Sequence, residues 1–220
     1  GTAASPSYSN ADVVFSGGTA ADTFKATDNS VYLGRWQGGS VLVDDLSNGA
    51  GVDTTVTLGT QSVHWVIALQ PAANYAQTKL TGTNTYTLLA NTSPTDTAGN
   101  VGTLNSATLT ADFTNRTVSA GINATVNART YAMTINNMAI SSNDFSGTGT
   151  PTCTGATCTG TYAGEITGAF AKADASGAGF KYGLWPTTTG VYSDLIRGVA
   201  AFTTATAPAL IPQPSVMVAT

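Results

Sequence analysis

Apolar and polar side chains alternate with a period of two along most of this chain, from near Val31 to Phe202, while no window of a dozen residues carries a helical apolar stripe. Such alternation puts every second side chain on one face of an extended strand, so the chain is built to bury sheet faces, and helix is at most incidental. In 107–113, Ala107, Leu109, Ala111 and Phe113 share one face, with Thr108, Thr110 and Asp112 on the other. Asn115-Arg116 then offers a turn; Val118, Ala120, Ile122, Ala124 and Val126 continue the pattern, and after a turn at Asn127-Ala128 come Tyr131, Met133 and Ile135. This spacing predicts a three-stranded meander.

A second block alternates Tyr162, Gly164, Ile166, Gly168 and Phe170 against Ala163, Glu165, Thr167 and Ala169. Ser176-Gly177-Ala178-Gly179 turns the chain into a row of Phe180, Tyr182 and Leu184, and 196–202 supplies a closing strand. Glycines inside strands, at Gly164, Gly168, Gly183 and Gly198, suit the bends and close backbone approaches of a small barrel better than a flat sheet. Upstream, 30–36, 62–69 and 85–90 also read as strands, whereas 91–103 is polar and turn-rich and reads as a long surface loop. The expected fold is all-β: a single antiparallel β-barrel of about eight strands in up-and-down order, a common closed solution for such chains. It would span 30–203, between an extended N-terminal segment, 1–29, and an extended C-terminal tail, 204–220.

Composition narrows what such a barrel can do. Charged residues are 9% of the 220, against about 25% in an ordinary soluble domain. The net charge of −4 is thinly spread, with no basic run to neutralise phosphates, so nucleic acid is not an expected partner. A hydroxyl-rich surface of low charge density opposes close packing of identical copies only weakly. Hydrophobic residues at 42% supply the apolar area that disordered chains lack. No apolar run is long enough for a membrane-spanning helix, and the N-terminus has neither the basic nor the apolar region of an export signal, so the chain reads as a mature exported form with its signal removed.

Cys153 and Cys158, in a loop of small residues, read as a local disulfide, which places the chain in an oxidising compartment, at the cell surface or outside it. Zinc would need more thiolates or imidazoles than two cysteines and the single His64 provide. The spacing is also too wide for a Cys-x-x-Cys redox pair.

These blocks together resemble a known module. Tyr32-Leu33-Gly34-Arg35-Trp36-Gln37-Gly38-Gly39, Val63-His64-Trp65-Val66, Tyr86-Thr87-Leu88, Pro94-Thr95-Asp96 with Gly99, Gly102-Thr103-Leu104 and Ala111-Asp112-Phe113 carry it, with Gly168-Ala169-Phe170, 177–182 and 198–202. They resemble the β-barrel found downstream of the FecR domain in some proteobacterial surface proteins. The late blocks are similar in style to the lipocalin-like barrels of transferrin-binding protein B and related Gram-negative surface lipoproteins. The resemblance covers about 30–203, rests on glycine and aromatic packing positions, and implies a surface barrel without implying an activity. With no FecR domain, no lipidated N-terminal cysteine and few charged loops in the sequence, neither receptor signalling nor transferrin capture is expected.

Catalytic machinery is not expected: many serines accompany one histidine, but no Gly-x-Ser-x-Gly elbow occurs. His64 reads as structural rather than as a metal or haem ligand. Asp44, Asp45 and Asp53 lack the order of a calcium loop. Glu165 falls on the outer face of its strand. Trp36, Trp65 and Trp185 fit core or rim packing better than a sugar platform, and no cofactor is expected. Pro212 and Pro214 keep the tail from a regular hairpin, leaving Leu210, Ile211, Val216, Met217 and Val218 as apolar residues without an obvious partner. With Val13, Val14 and Phe15, they are candidate inter-subunit contacts. The expected function is that of an extracellular structural subunit, polymerising with copies of itself into a filament, fimbrium or surface layer as terminal segments donate strands. The alternative is a barrel binding a small apolar molecule or haem in its mouth.

Overall fold

The computed structural model describes residues 7–9, 13–45, 54–69, 79–155, 158–187 and 195–210, with the backbone alone described over 7–9, 13–18, 41–45 and at 210. The protein is all-β and holds a closed eight-stranded antiparallel barrel. The barrel begins later than the alternation suggests, because the first five strands make a sheet of their own. These are β1 (Ser7–Ser9), β2 (Val13–Lys25), β3 (Val31–Asp45), β4 (Thr54–Thr57) and β5 (Ser62–Ala68). β3 is the centre of that sheet: β2 lies along one side, while β5 and then β4 share the other. Period two marks which side chains are buried, and it cannot say in which sheet.

β6 (Leu80–Thr81) leads into the ring of β7 (Thr83–Asn91), β8 (Thr103–Asp112), β9 (Thr117–Val126), β10 (Arg129–Ser141) and β11 (Asp144–Gly149). A short β12 (Thr152–Thr154) pairs beside β10, and β13 (Tyr162–Ala171), β14 (Gly177–Pro186) and β15 (Ile196–Thr203) complete the circuit back to β7. Closure depends on β10. Its first half pairs with β9 and β12, its register breaks between Ile135 and Met138 with Asn137 at φ 58°, and its end turns onto β11, where Ile140 faces Phe145. A bulge of this kind bends one strand so that it can serve two neighbours. The β9–β10 hairpin turns at Asn127 and Ala128, both at positive φ, as a two-residue type I′ loop requires.

The interior is filled. One continuous apolar cluster takes an inward row from every ring strand, with Phe113, Phe145, Phe170, Phe180, Phe202 and Tyr131 among its fully buried side chains. Phe170 sits centrally, its ring centroid 5.1 Å from Phe113, 5.4 Å from Phe145 and 6.0 Å from Tyr86. Burying rings of this size is the main apolar contribution to stability. The inward rows expected for 107–113, 118–126, 131–135, 162–170 and 180–184 all belong to this cluster, their glycines apart, with Ala107 partly buried at its rim. The mouth that a small apolar molecule or haem would need is therefore occupied by the chain's own aromatic rings.

Outside the wall, Val199, Ala201 and Ala171 are buried beneath Val31, Leu33 and Ala26, with Phe24, Val66 and Ala68 against them. The N-terminal sheet thus lies over part of the outer face of β13–β15, which explains why the outward residues it covers there, Ala171, Val199 and Ala201, are small and apolar. Trp36 is buried with Leu58, and Trp65 and Val63 lie against them, the two indole centroids 6.1 Å apart. These two tryptophans pack a core, as expected.

Candidate functional site

The polar chemistry of the molecule concentrates where the sheet meets the barrel. Arg35 on β3 is 5% exposed. Its Nε donates to Asp22 Oδ2 on β2 at 2.6 Å, and its Nη1 donates to Gln37 at 2.7 Å and to Ser62 at 3.3 Å. Asp22 Oδ2 also accepts the backbone N–H of Ser93 at 2.9 Å, tying the sheet to the barrel. A buried guanidinium is tolerable only with such an acceptor set.

His64 on β5 makes the second tie. Its Nδ1 and Nε2 lie 2.8 Å from the hydroxyls of Thr92 and Thr95, and Thr92 Oγ1 also accepts the Val199 N–H at 3.2 Å. Burial, reinforced by the Arg35 and Arg197 charges, pushes the imidazole down to about 3, so it stays neutral. One ring nitrogen donates to its threonine and the other accepts from the opposite hydroxyl. His64 is a structural histidine, as expected. The segment 91–103 is the correction: Thr92, Thr95 and Asp96 are 0%, 3% and 4% exposed. Its polar residues face His64, Asp22 and the backbone rather than water. Asp96, for example, takes the Asn100 N–H at 2.9 Å.

A third tie sits at the far end, where Lys172 Nζ is 2.7 Å from Asp28. The lysine, followed by the Ser30 hydroxyl, holds the Asp28 carboxyl down to about 2.

Two clefts flank β5. One, about 370 Å³, is lined by Val66 and Ala68 of β5 and by Asp144, Ser146, Thr167 and Lys181 of the barrel wall, among others. The other, about 540 Å³, lies at the Ser62–His64 end and reaches Glu165, Lys181, Trp185 and Arg197. Between them runs the open side of β5. Leu69 donates to the Ser30 carbonyl, which fixes the β3–β5 ladder so that Ser30/Leu69, Tyr32/Ile67 and Gly34/Trp65 are the hydrogen-bonded pairs. The N–H and C=O of His64, Val66 and Ala68 therefore point away from β3, and no described residue's backbone takes them.

The remaining candidates fall elsewhere. Cys153 and Cys158 form the expected disulfide, with Cα atoms 5.7 Å apart. Val13, Val14 and Phe15 pair with Asp45, Asp44 and Val43 on β3, and Val14 and Phe15 pair on their other side with Ser9 and Tyr8 on β1. They belong to β2, which runs on to Lys25 through a Gly/Ala/Asp/Thr stretch whose alternation is too weak to read. Leu210 pairs with Leu80 in a short ladder, β16 (Ala209–Leu210) against β6, so the tail starts on its own barrel. Ile211, Val216, Met217, Val218 and Asp53 lie outside the described residues, as do the side chains of Asp44 and Asp45. Among the described residues no His/Cys/Asp/Glu cluster could hold a metal, and no helix is long and apolar enough to cross a membrane. That no described residue pairs with the outer side of β5 is not legible in the sequence; only the register, which needs partners, reveals it.

No family model and no curated protein matches the sequence, so the likeness to FecR-associated barrels finds no support. Among solved structures, a transferrin binding protein B variant from Haemophilus parasuis Hp5 is similar at 11% identity and a TM-score of 0.49, covering 97% of this chain and 38% of that one. Isotype 1 transferrin binding protein B from serogroup B Neisseria meningitidis gives 13% and 0.44, over 93% of this chain and 36% of that one. This chain spans little more than a third of either. Likenesses this loose transfer no binding property.

Proposed function

We propose that this chain is a non-enzymatic, exported structural subunit that associates with its own copies by strand addition at the free edge of β5. The observation that carries the reading is the combination of a closed barrel, which offers no long edge, with an unbulged seven-residue strand that no described residue pairs on its outer side, beside a cleft. The other long open edge of the N-terminal sheet, β2 beyond Gly17, is poorly suited: its register shifts twice, and it carries Asp22 and Lys25. Bulges and charges of that kind are the usual protection against edge pairing. β5 has neither.

The added strand is residues 211–220 of a neighbouring copy, whose Val216-Met217-Val218 can alternate along the edge. Backbone bonds to Val66 and Ala68 supply affinity, and the cleft floored by Gly168 and Gly179 takes one row of side chains. Such an interface joins unlike surfaces, so unless it closes into a ring it grows into a filament. The disulfide fits an extracellular setting.

Electron microscopy and light scattering of the purified chain test the reading. The full chain should assemble, and a deletion of 211–220 should stay monomeric. Ala68→Pro, which removes an edge-facing N–H while sparing the β3 ladder, should also stay monomeric. Assembly by both variants at the wild-type rate would sink the proposal.

A further inference from the structure

The cleft at the Ser62–His64 end of β5 has a floor that barrel packing does not explain. In register across the outer wall, Gly183 of β14 lies between Glu165 of β13 and Arg197 of β15, and its same-face neighbours along β14 are Lys181 and Trp185. Four functional side chains thus ring one bare backbone position. Four other strand glycines of this wall are needed: a Cβ at Gly164 would come within 2.6 Å of Met133 Sδ, and one at Gly179 within 2.6 Å of Val66 Cγ2. At Gly168 and Gly198 it would collide with Phe145 and with the Tyr182 hydroxyl. At Gly183 the nearest atoms would be Glu165 Cγ and Oε1 at 3.6 Å and Trp185 Cζ3 at 3.7 Å, ordinary contact distances, and the backbone there is not left-handed. Neither crowding nor conformation demands glycine. What the missing side chain does is keep the floor open.

We propose that this cleft binds an acidic saccharide unit, a pyranose bearing one carboxylate. Lys181 and Arg197 are exposed, and neither forms an ion pair with a described residue, while Glu165 is the one acid among the described residues that line the cleft. The described lining therefore carries two cations against one acid, in a protein of net charge −4. The two cations suit a carboxylate. Glu165, an acceptor, suits a hydroxyl donor on the same ligand, and the Trp185 indole suits the apolar C–H face of a sugar ring. Ser62 offers a further hydroxyl from the β5 side. Inorganic phosphate would satisfy the cations but gives Glu165 no partner of its own and the indole no apolar face. A volume of about 540 Å³ falls in the usual range for small-ligand sites. This site lies toward the Ser62–His64 end of β5 and the proposed strand addition toward Val66 and Ala68; of its charged residues only Lys181 also lines the other cleft.

The test is an amide and indole N–H chemical-shift titration of the full-length chain, kept dispersed by Ala68→Pro, with sodium glucuronate, galacturonate and N-acetylneuraminate, against glucose and inorganic phosphate. At least one acid should move Gly183, Arg197 and the Trp185 indole, binding at least tenfold more tightly than glucose. Gly183→Val should weaken that binding at least tenfold without changing the urea midpoint. Arg197→Gln should bring acid and neutral sugar to near-equal affinity. Silence at these positions with all three acids, equal shifts with phosphate alone, or full binding by Gly183→Val would each overturn the assignment.

Discussion

Phe170→Ala probes the filled barrel most sharply. The ring is 1% exposed and contacts Phe113, Phe145 and Tyr86, side chains held by the closed wall and unable to collapse into the space it leaves. Truncating a buried phenylalanine costs about 4 kcal/mol when the surroundings cannot relax, a large part of the roughly 5–15 kcal/mol that holds a domain together. With an urea m-value of about 2.5 kcal/mol/M, the unfolding midpoint should fall by about 1.6 M at unchanged slope. Leu89→Ala is the control: that side chain is 43% exposed, and its loss should cost under about 0.5 kcal/mol. Equilibrium urea unfolding followed by tryptophan fluorescence measures both. A Phe170→Ala cost below about 1 kcal/mol would refute the reasoning, because it would mean that the interior is loose or already hollow.

Other outcomes follow from the seam and the loops. Because His64 has a folded value near 3, below the ordinary 6.5, the unfolded chain takes up the proton first. Stability should therefore be full above about pH 6.5 and fall by roughly 1.4 kcal/mol per unit toward pH 3. His64→Gln should flatten the slope of the urea midpoint between pH 6.5 and 4.5, and an unchanged slope would contradict the burial argument. Asp22→Ala strands the Arg35 guanidinium and the Ser93 N–H, so it should destabilise by about 3 kcal/mol, whereas Asp22→Ala with Arg35→Met should recover much of that loss in a double-mutant cycle. Reducing Cys153–Cys158, five residues apart in sequence, should lower stability by about 2 kcal/mol, the value for closing so short a loop. Gly198→Ala should destabilise strongly, since its Cβ meets the Tyr182 ring and hydroxyl, while Gly183→Ala should be nearly neutral by the same urea assay.

Much of the barrel was legible because its strands bury one face each. The rows from Leu109 to Phe113, from Val118 to Val126 and from Tyr162 to Phe170 sit as their alternation dictates, and the turns at Asn115-Arg116 and Asn127-Ala128 adopt the positive φ their chemistry allows. What alternation could not convey was partnership. Val31 and Leu33 alternate as well as any barrel strand, yet they cover the outside of the wall. The segment 91–103 has the composition of a solvated loop, but the Thr92 and Thr95 hydroxyls serve His64 and the Asp96 carboxylate serves Asn100, and composition alone does not distinguish the two. The ring around Gly183 was invisible for a related reason: Glu165, Lys181, Trp185 and Arg197 are far apart in sequence, and only the β13–β14–β15 register brings them around one glycine.

Hydrogen–deuterium exchange along β5, in dispersed and in assembled protein, tests strand addition most directly. The amides of Trp65 and Ile67, bonded to β3, should be protected in both states. Those of Val66 and Ala68 should exchange quickly in the monomer and become protected on assembly. Protection of Val66 and Ala68 already in the monomer, or none after assembly, would place the contact between copies elsewhere.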